Sequence, residues 1–290
     1  MKATASIAYS HAPSKASEMS LEQIQQMLKA HGISPNKLLG QNFMFETRLY
    51  TKLAAYADLD GSDVVLDAGA GFGLLTRYLS EQCRGVVAVE KDPQLAAFLH
   101  EEFKDTSNVA VIEGDVLKVQ LPPFNKAIAA PPYYLSTQLV LLLLERKVDC
   151  SVLIVQREFA ERLVAEVGRE EYGWLTVVTQ QQSEAKILDV VPKDMFYPPP
   201  EVDSVILSLK PLKTRPFQVK NEAKFIQLTK WLFTQRNKKL AKALAPYLRS
   251  NYKLSKQEAI DIAEKLPFHE QRPRELQPKD FGAIADALPN

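Results

Sequence analysis

The chain has 290 residues, of which 46% are hydrophobic and 24% charged, as in a globular protein with one large domain or a large domain and a smaller one. The longest apolar run, residues 139–144, is far too short to cross a bilayer, so no membrane partner is expected. The two cysteines and four scattered histidines have neither disulfide nor metal-ligand spacing, so we expect a cytoplasmic protein without a metal.

The N-terminal segment, residues 1–36, is predicted to be a flexible tail followed by one helix. The tail has neither the apolar core of a secretory signal nor the arginines of a mitochondrial transit peptide. Ser20 and Gln23 have the spacing of a capping box, which predicts a helix start, and Gly32 is a helix stop. A loop containing Leu-Gly-Gln-Asn-Phe at residues 39–43 follows the helix.

Strand and helix patterns then alternate from about residue 60 to residue 210. Strands are predicted at residues 63–66, 85–89, 109–112, 126–129 and 151–155, with helices around residues 74–81, 94–103 and 137–144. Such alternation predicts a mostly parallel sheet with helices on both faces. Two late strands are predicted at residues 175–180 and 202–209. Only helical patterns follow, so we place a domain boundary between residues 37–212 and residues 213–290.

The loop after the first predicted strand of this sheet carries a cofactor signal. Asp67 precedes a turn in which Gly69, Gly71 and Gly73 alternate with other residues before a helix. A dinucleotide-binding turn would place its third glycine at Leu74, so this spacing indicates the S-adenosylmethionine variant. The glycines would let the backbone approach the cofactor, and Asp67 could bind its methionine ammonium. Taken alone, the motif is also compatible with a tight structural turn.

Two more acids follow at the ends of the next two predicted strands. Glu90 could bind both ribose hydroxyls and Asp115 the adenine amino group, although each alone could be a surface acid that caps a helix. Because the C-terminal ends of parallel strands share one crevice, the three acids together favour a cofactor site. The predicted fold class is α/β, with a Rossmann-like S-adenosylmethionine methyltransferase sheet and a small C-terminal helical domain.

The fourth predicted strand leads into Ala130-Pro131-Pro132-Tyr133. Methyltransferases that hold the exocyclic amino group of a base have Asn or Asp at the first position, so that a side-chain oxygen and the Pro131 carbonyl accept the two amine hydrogens. Tyr133 could stack on one face of the base and Phe196 on the other, with plain core packing as the alternative for both rings. The tetrad indicates the substrate class, while Ala130 removes one acceptor.

The positive charge of the chain is concentrated near its C-terminus. Residues 213–250 contain ten Lys or Arg and one acid, a net charge of +9 in a chain whose formal charge is +1. Apolar residues recur there at helical spacing, which predicts an amphipathic helix with a basic outer face. A solvated face is the alternative, but the one-sided charge favours contact with RNA phosphates. The candidate RNA-binding residues are Arg236, Lys238, Lys239 and Lys242.

Together these motifs resemble the ribosomal small-subunit RNA adenine dimethyltransferase family, itself similar to the macrolide-resistance rRNA methyltransferases. The matching segments include the Leu-Gly-Gln-Asn-Phe loop, the glycine turn, Glu-Gly-Asp at residues 113–115, Pro-Tyr at residues 132–133 and Phe-Thr-Gln-Arg at residues 233–236. The resemblance implies a monomer that dimethylates two adjacent adenosines near the 3′ end of rRNA in immature small subunits. It also implies that Gln41 and Asn42 close over the cofactor.

Ala130 is where the chain departs from this family. Asn125 is about 16 Å away along an extended strand and cannot replace the lost acceptor, whose loss corresponds to about 3 kcal/mol. The substitution could have inactivated an otherwise active enzyme, define a slow variant, or belong to a protein kept for ribosome binding. Two functions remain open, an rRNA adenine dimethyltransferase impaired at Ala130 and a catalytically silent small-subunit assembly factor that binds RNA and cofactor. The intact acids favour the enzyme.

Overall fold

A computed structural model describes residues 20–289, so the predicted flexible tail lies outside the described residues. Within this range two sheets are formed, one of seven strands and one of two. The strands are β1 (Phe43–Met44), β2 (Val64–Ala68), β3 (Gly85–Glu90), β4 (Val109–Glu113), β5 (Lys126–Ala129), β6 (Cys150–Gln156), β7 (Ser183–Val191), β8 (Phe196–Tyr197) and β9 (Ser204–Pro211).

The α-helices flank the sheet along the chain and then form the C-terminal part. They are α1 (Leu21–Ala30), α2 (Thr47–Tyr56), α3 (Leu74–Ser80), α4 (Pro93–Glu102), α5 (Ser136–Arg146), α6 (Arg157–Val164), α7 (Trp174–Gln182), α8 (Glu222–Thr234), α9 (Leu240–Tyr252), α10 (Lys256–Lys265) and α11 (Pro278–Ala287). The capping box at Ser20 and Gln23 is present, which confirms the predicted start of α1. No helix within residues 20–289 is long and apolar enough to cross a membrane.

The large sheet has the strand order β4-β3-β2-β5-β6-β9-β7. The pairs from β4 to β6 are parallel, while β9 runs antiparallel to both β6 and β7. The central strands are almost fully buried because helices cover both faces of the sheet. The predicted mostly parallel α/β sheet is therefore confirmed. The chain runs outwards from β2 to β4 and then returns to β5, so the crevice for a ligand lies above the C-terminal ends of β2 and β5.

The strand predicted at residues 175–180 is wrong, because these residues lie within α7. Their β-branched side chains suggested a strand, but every one from Leu175 to Thr179 is buried, so the run is apolar on all sides rather than on alternate ones. Burial between α6, α8 and β7 overrides the local β propensity. The strand that the sheet needs at this edge is β7, which begins where α7 ends.

The predicted basic helix is also different from the one observed. Helix α8 ends at Thr234, so Arg236, Lys238 and Lys239 lie in the turn between α8 and α9, and Lys242 lies in the first turn of α9. The basic residues therefore come from a turn and a second helix, not from the outer face of one helix. A single hydrophobic core includes side chains of the sheet, such as Leu153, and of α8 and α11, such as Phe225 and Phe281.

Candidate active site

A cavity opens at the C-terminal ends of the central strands, where the strand order reverses. Its empty volume is about 770 Å³, which includes open solvent at its mouth. Predicted site residues from six segments line it. They are Gln41, Asn42, Gly69, Gly71, Glu90, Asp115, Ala130, Pro131, Tyr133 and Phe196.

The first two glycines of the turn lie on the cavity wall in the left-handed conformation. Gly69 has φ 82° and Gly71 has φ 57°, which L side chains rarely adopt. A Cβ on Gly69 would lie 2.9 Å from Cδ of Pro132, and one on Gly71 would lie 3.2 Å from Cδ1 of Phe43. Both glycines thus let other parts of the site pack against the turn, in addition to leaving its backbone open towards the cavity.

Gly73 and Asp67 do not line the cavity. A Cβ on Gly73 would lie 2.6 Å from side-chain atoms of both Leu99 and Phe103, so this glycine lets α3 start close against α4. Asp67 is 1% exposed, and its Oδ2 accepts a hydrogen bond of 2.7 Å from the Thr76 hydroxyl. Burial raises the pKa of Asp67 to about 7, although the Thr76 bond opposes the shift. Asp67 lies behind the wall, where it can act on a ligand only through water or a rearrangement.

Glu90 is the acid that the structure holds most firmly at the cavity. Its Oε2 accepts the Gly71 N–H at 2.8 Å and its Oε1 accepts the Asp92 N–H at 2.9 Å, while the residue is 7% exposed. Burial raises its pKa, and these backbone donors counteract part of the effect. Since each carboxylate oxygen has further lone pairs, Glu90 can accept two ribose hydroxyls without losing its own support.

Asp115 faces the same cavity from the end of β4. Its Oδ1 accepts the Leu117 N–H at 3.1 Å, and its Oδ2 lies 3.3 Å from Nζ of Lys91, which also lines the cavity. Burial would raise the pKa of Asp115, but the Leu117 bond and the Lys91 ammonium outweigh it and hold the pKa below its usual range. The carboxylate stays ionised and can accept a hydrogen bond from an adenine amino group.

Gln41 and Asn42 reach the cavity from a strap, residues 36–45, that includes β1. The Gln41 amide donates to Oδ2 of Asp92 at 2.8 Å and accepts the Asn36 N–H at 2.8 Å, so its side chain is used within the protein. Asn42 donates to the Gly40 carbonyl at 3.2 Å. The strap lines the cavity, and the Gln41 side chain anchors it to the start of α4. The sequence showed no sign of this link beyond the helix-capping pattern of Asp92 before a proline.

The tetrad begins at the end of β5 and passes into a short 3₁₀ turn. Tyr133 lines the cavity, and its hydroxyl shares a hydrogen bond of 2.6 Å with Oγ of Ser204, which orients the ring. Phe196, in β8, also lines the cavity but is only 4% exposed and belongs to a hydrophobic core cluster. Pairing of β1 with β8 brings Met44 opposite Phe196, so the strap and this ring are connected. Core packing and access to a bound base are therefore compatible for Phe196.

Ala130 brings no side-chain acceptor to this position. Asn125, at the other end of β5, is fully engaged there: its oxygen accepts the Val64 N–H at 2.8 Å, and its amide donates to Asp63 at 2.7 Å and to Asp149 at 3.1 Å. Asn125 holds the opposite end of the sheet together and cannot replace the missing group.

The candidate RNA-binding residues lie outside the cavity and differ in their surroundings. The Arg236 guanidinium donates to the carbonyls of Glu170 at 2.9 Å and Arg169 at 3.1 Å, so it clips the turn after α8 to the loop before α7. Lys239 forms an ion pair with Glu270. Lys238 and Lys242 are exposed. Arg236 and Lys239 are thus engaged within the protein, and Lys238 and Lys242 are the better candidates for phosphate contacts.

The cavity fits S-adenosylmethionine by its chemistry. Its wall combines a glycine turn with open backbone, a buried carboxylate suited to a diol and an ionised carboxylate suited to an amino group, beside apolar and aromatic side chains. Within residues 20–289, no three His, Cys, Asp or Glu side chains are grouped in a way that could hold a metal ion.

Comparison with protein families gives a match over most of the chain. Residues 32–275 match the model of the ribosomal RNA adenine dimethylase family. The probable ribosomal RNA small subunit methyltransferase A of Methanosarcina acetivorans is 37% identical over 250 residues, which are 86% of this chain and 91% of the relative. The protein of the same name from Thermococcus onnurineus is 34% identical over 265 residues, 91% of this chain and 96% of the relative.

Two solved structures are similar along most of their length. A dimethyladenosine transferase from Plasmodium falciparum superimposes with a TM-score of 0.72 and 28% identity, covering 83% of this chain and 95% of that one. The 23S rRNA methyltransferase ErmE has a TM-score of 0.62 and 27% identity, covering 85% of this chain and 99% of its own.

Proposed function

Because the chain belongs to the ribosomal RNA adenine dimethylase family, we propose that it dimethylates two adjacent adenosines near the 3′ end of small-subunit rRNA, at a rate limited by Ala130. The methyl donor is S-adenosylmethionine and the substrate class is rRNA adenine. The observation that carries the proposal is that the glycine turn, Glu90, Asp115 and the tetrad line one cavity, which supports a shared site for the donor and a base.

The donor half of the cavity is formed by the glycine turn and the two acids. When bound, S-adenosylmethionine supplies a methyl group on a positively charged sulfur. Glu90 accepts the ribose hydroxyls, Asp115 accepts the adenine amino group, and the backbone of Gly69 and Gly71 leaves room for the chain between them. Asp67, behind the wall, provides negative charge for the methionine ammonium through water.

The base half of the cavity is formed by the tetrad and Phe196. An adenine amine is a poor nucleophile because its lone pair is delocalised into the ring, and acceptors on its hydrogens help the lone pair to localise. The Pro131 carbonyl accepts one hydrogen, and Tyr133 and Phe196 hold the faces of the ring. At Ala130 the second hydrogen has no side-chain acceptor, so the loss falls mainly in the transition state.

Ala130→Asn tests this function directly. Restoring the acceptor is expected to raise the single-turnover rate of methylation of immature small subunits by about a hundredfold, which corresponds to about 3 kcal/mol. Dissociation constants for RNA and cofactor are expected to change less than about threefold. Ala130→Leu, similar in size to Asn but without an acceptor, is the matched control and is expected to stay at or below the parent rate.

The second candidate function is a small-subunit assembly factor that binds RNA and cofactor without methylating, and Ala130 is the observation that favours it. If Ala130→Asn stays at background while both ligands bind, catalysis is lost elsewhere and the assembly factor is the better interpretation. If the parent already reacts at the restored rate, position 130 is not the missing acceptor.

We also propose a division of labour along the chain. Residues 1–36 form an N-terminal tail and helix, residues 37–212 the methyltransferase domain, and residues 213–290 a helical domain that docks on rRNA of the immature small subunit. The exposed Lys238 and Lys242 contribute to that docking, and Arg236 and Lys239 shape the turn that presents them. We further propose that the protein acts as a monomer in the cytoplasm, on the rRNA of immature small subunits.

A further inference from the structure

Two large apolar side chains are exposed beside the mouth of the cavity. Leu38 is 93% exposed and Tyr134 is 48% exposed, and both belong to short 3₁₀ turns next to cavity-lining residues. Scattered exposed apolar residues are common on protein surfaces and need no special explanation. These two differ because both are adjacent in the chain to cavity-lining residues, Leu38 to Leu39 and Tyr134 to Tyr133.

Leu38 belongs to a turn whose backbone is held by hydrogen bonds. The Asn36 side chain accepts the Leu38 N–H at 2.9 Å, and the Gly40 N–H donates to the Lys37 carbonyl at 3.1 Å. Gly40 ends the turn with φ 62°, a conformation that favours glycine. The turn therefore holds the Leu38 side chain in solvent, although the residues after it, 39–45, are buried or half-buried.

Tyr134, the second exposed side chain, belongs to the 3₁₀ turn that follows β5. Its ring passes close to the strap, because a Cβ on Gly40 would lie 3.7 Å from its Cδ1. Successive residues of a 3₁₀ turn point about 120° apart. Tyr133 accordingly points towards Ser204, while Tyr134 points outwards and Leu135 is buried. Tyr134 also lines the cavity, so it borders the space that a target base would enter.

We propose that Leu38 and Tyr134 form a mouth platform that stacks on the base next to the target adenosine in the RNA substrate. An adenosine that enters the cavity leaves the base stack, and its neighbour loses a stacking partner at the same time. An exposed aromatic ring beside an aliphatic side chain offers a replacement surface, and the exposed Lys37 is placed to meet the adjoining phosphate. This inference rests on the proposed function, since it requires a target base in the cavity.

The test uses a stem–loop RNA from the 3′ end of small-subunit rRNA with 2-aminopurine beside the target adenosine. The fluorescence of 2-aminopurine falls when it stacks. Tyr134→Ala is expected to weaken binding of this RNA by roughly 5- to 150-fold, the range that corresponds to about 1–3 kcal/mol for one stacked base. The saturated Tyr134→Ala complex is also expected to be brighter than the parent complex. Leu38→Ala is expected to act in the same direction with a smaller effect.

Two control variants separate stacking from other causes. Tyr134→Phe keeps the ring and is expected to match the parent in both affinity and fluorescence. Val190→Ala removes apolar surface from an exposed residue on β7, outside the cavity, and is expected to have no effect. If Tyr134→Ala binds the RNA with parental affinity and brightness, the platform is wrong, and its exposed side chains would then be available to a protein partner.

The result also separates this inference from the proposed function. If Ala130→Asn methylates the RNA while Tyr134→Ala leaves binding and fluorescence unchanged, only the platform is wrong. If neither the parent nor Ala130→Asn binds the RNA or methylates immature small subunits, both the platform and the proposed function are wrong.

Discussion

Asp67 shows how a single residue of the site depends on its surroundings. A carboxylate that is 1% exposed, with a hydroxyl hydrogen bond from Thr76, is poorly compensated for the loss of water. Its pKa of about 7 means that the acid takes up a proton near neutrality when no positive charge is close. A methionine ammonium would favour the ionised form, so the buried acid is suited to a cationic ligand and is unfavourable for the fold in its absence.

Asp67→Asn tests this with the pH dependence of stability. The folded-state pKa is raised from the ordinary 3.8 to about 7, so the stability that Asp67 contributes is complete below pH 3.8 and lost as the pH rises through 7. Relative to Asp67→Asn, the parent is expected to lose up to about 4 kcal/mol of unfolding free energy between pH 4 and pH 8.5. Urea unfolding of both proteins at the two pH values measures it.

Glu101→Gln, at an exposed position on α4, is the control for general effects of charge. Its free energy of unfolding is expected to differ from that of the parent by the same small amount at both pH values. An equal difference between the parent and Asp67→Asn at the two pH values would contradict the titration of Asp67 in the folded protein.

At the scale of elements, the strap of residues 36–45 joins parts of the site that are distant in sequence. Gln41 binds Asp92 at the start of α4, and Phe43 packs against Gly71 of the glycine turn. Helix α1 supports the strap from outside, because its buried Ile24 lies in one hydrophobic cluster with Phe43. The strap thus helps to set the shape of the donor half of the cavity before any ligand binds.

Gln41→Ala and Asp92→Asn are expected to weaken cofactor binding to a similar extent, by about 1 kcal/mol or fivefold. Asn at position 92 keeps the Oδ1 that accepts the Gln94 N–H and so still caps α4. Its amide nitrogen stands where Oδ2 of Asp92 was, and it cannot accept the hydrogen bond from Gln41. Calorimetry of both single variants and the double variant measures the coupling. We expect the double variant to bind no more weakly than either single one.

A different result would change the role assigned to Gln41. If Asp92→Asn binds cofactor normally and Gln41→Ala does not, Gln41 contacts the ligand directly. The strap link would then have no part in binding.

At the scale of the whole molecule, the C-terminal helices share a hydrophobic core with the sheet and present a basic turn beside it. Arg236 holds that turn through carbonyls of the loop before α7, and Arg272 donates to the Asn237 carbonyl at 2.8 Å. The turn is therefore fixed relative to the methyltransferase sheet. A fixed turn lets a phosphate contact there position a target base at a cavity elsewhere on the molecule.

Lys238→Glu with Lys242→Glu is expected to weaken binding to immature small subunits and to reduce the slope of log affinity against log salt by about 1–2, because fewer counterions are released. Cofactor affinity is expected to stay the same. Lys104→Glu with Lys186→Glu makes the same change in charge at exposed positions on other surfaces and is the matched control. If the salt slope equals that of the parent, these lysines do not contact phosphates and belong to a solvated face. Arg236 is left intact because its loss would disturb the turn.

The sequence by itself determined the parts of this protein that depend on local pattern. Alternating strands and helices predicted the sheet, and acids at successive strand ends predicted one crevice, because the C-terminal ends of parallel strands meet there. The glycine spacing and the tetrad indicated the ligands, since each needs residues that are close along the chain. Ala130 was visible as a departure for the same reason.

Only the tertiary structure decided what depends on partners distant along the chain. Residues 175–179 are helical because they are buried on all sides, which a local β-branched run does not reveal. Gln41 binds Asp92, 51 residues away, and Arg236 binds a carbonyl 66 residues away, so a predicted cofactor-binding residue and a predicted RNA-binding residue each also anchor the fold. The tertiary structure also decides that Gly73 lies against α4 and that Tyr134 lines the cavity. Packing and long-range hydrogen bonds decide whether a side chain points into the core, into the cavity or into solvent. Its neighbours in the sequence do not decide this.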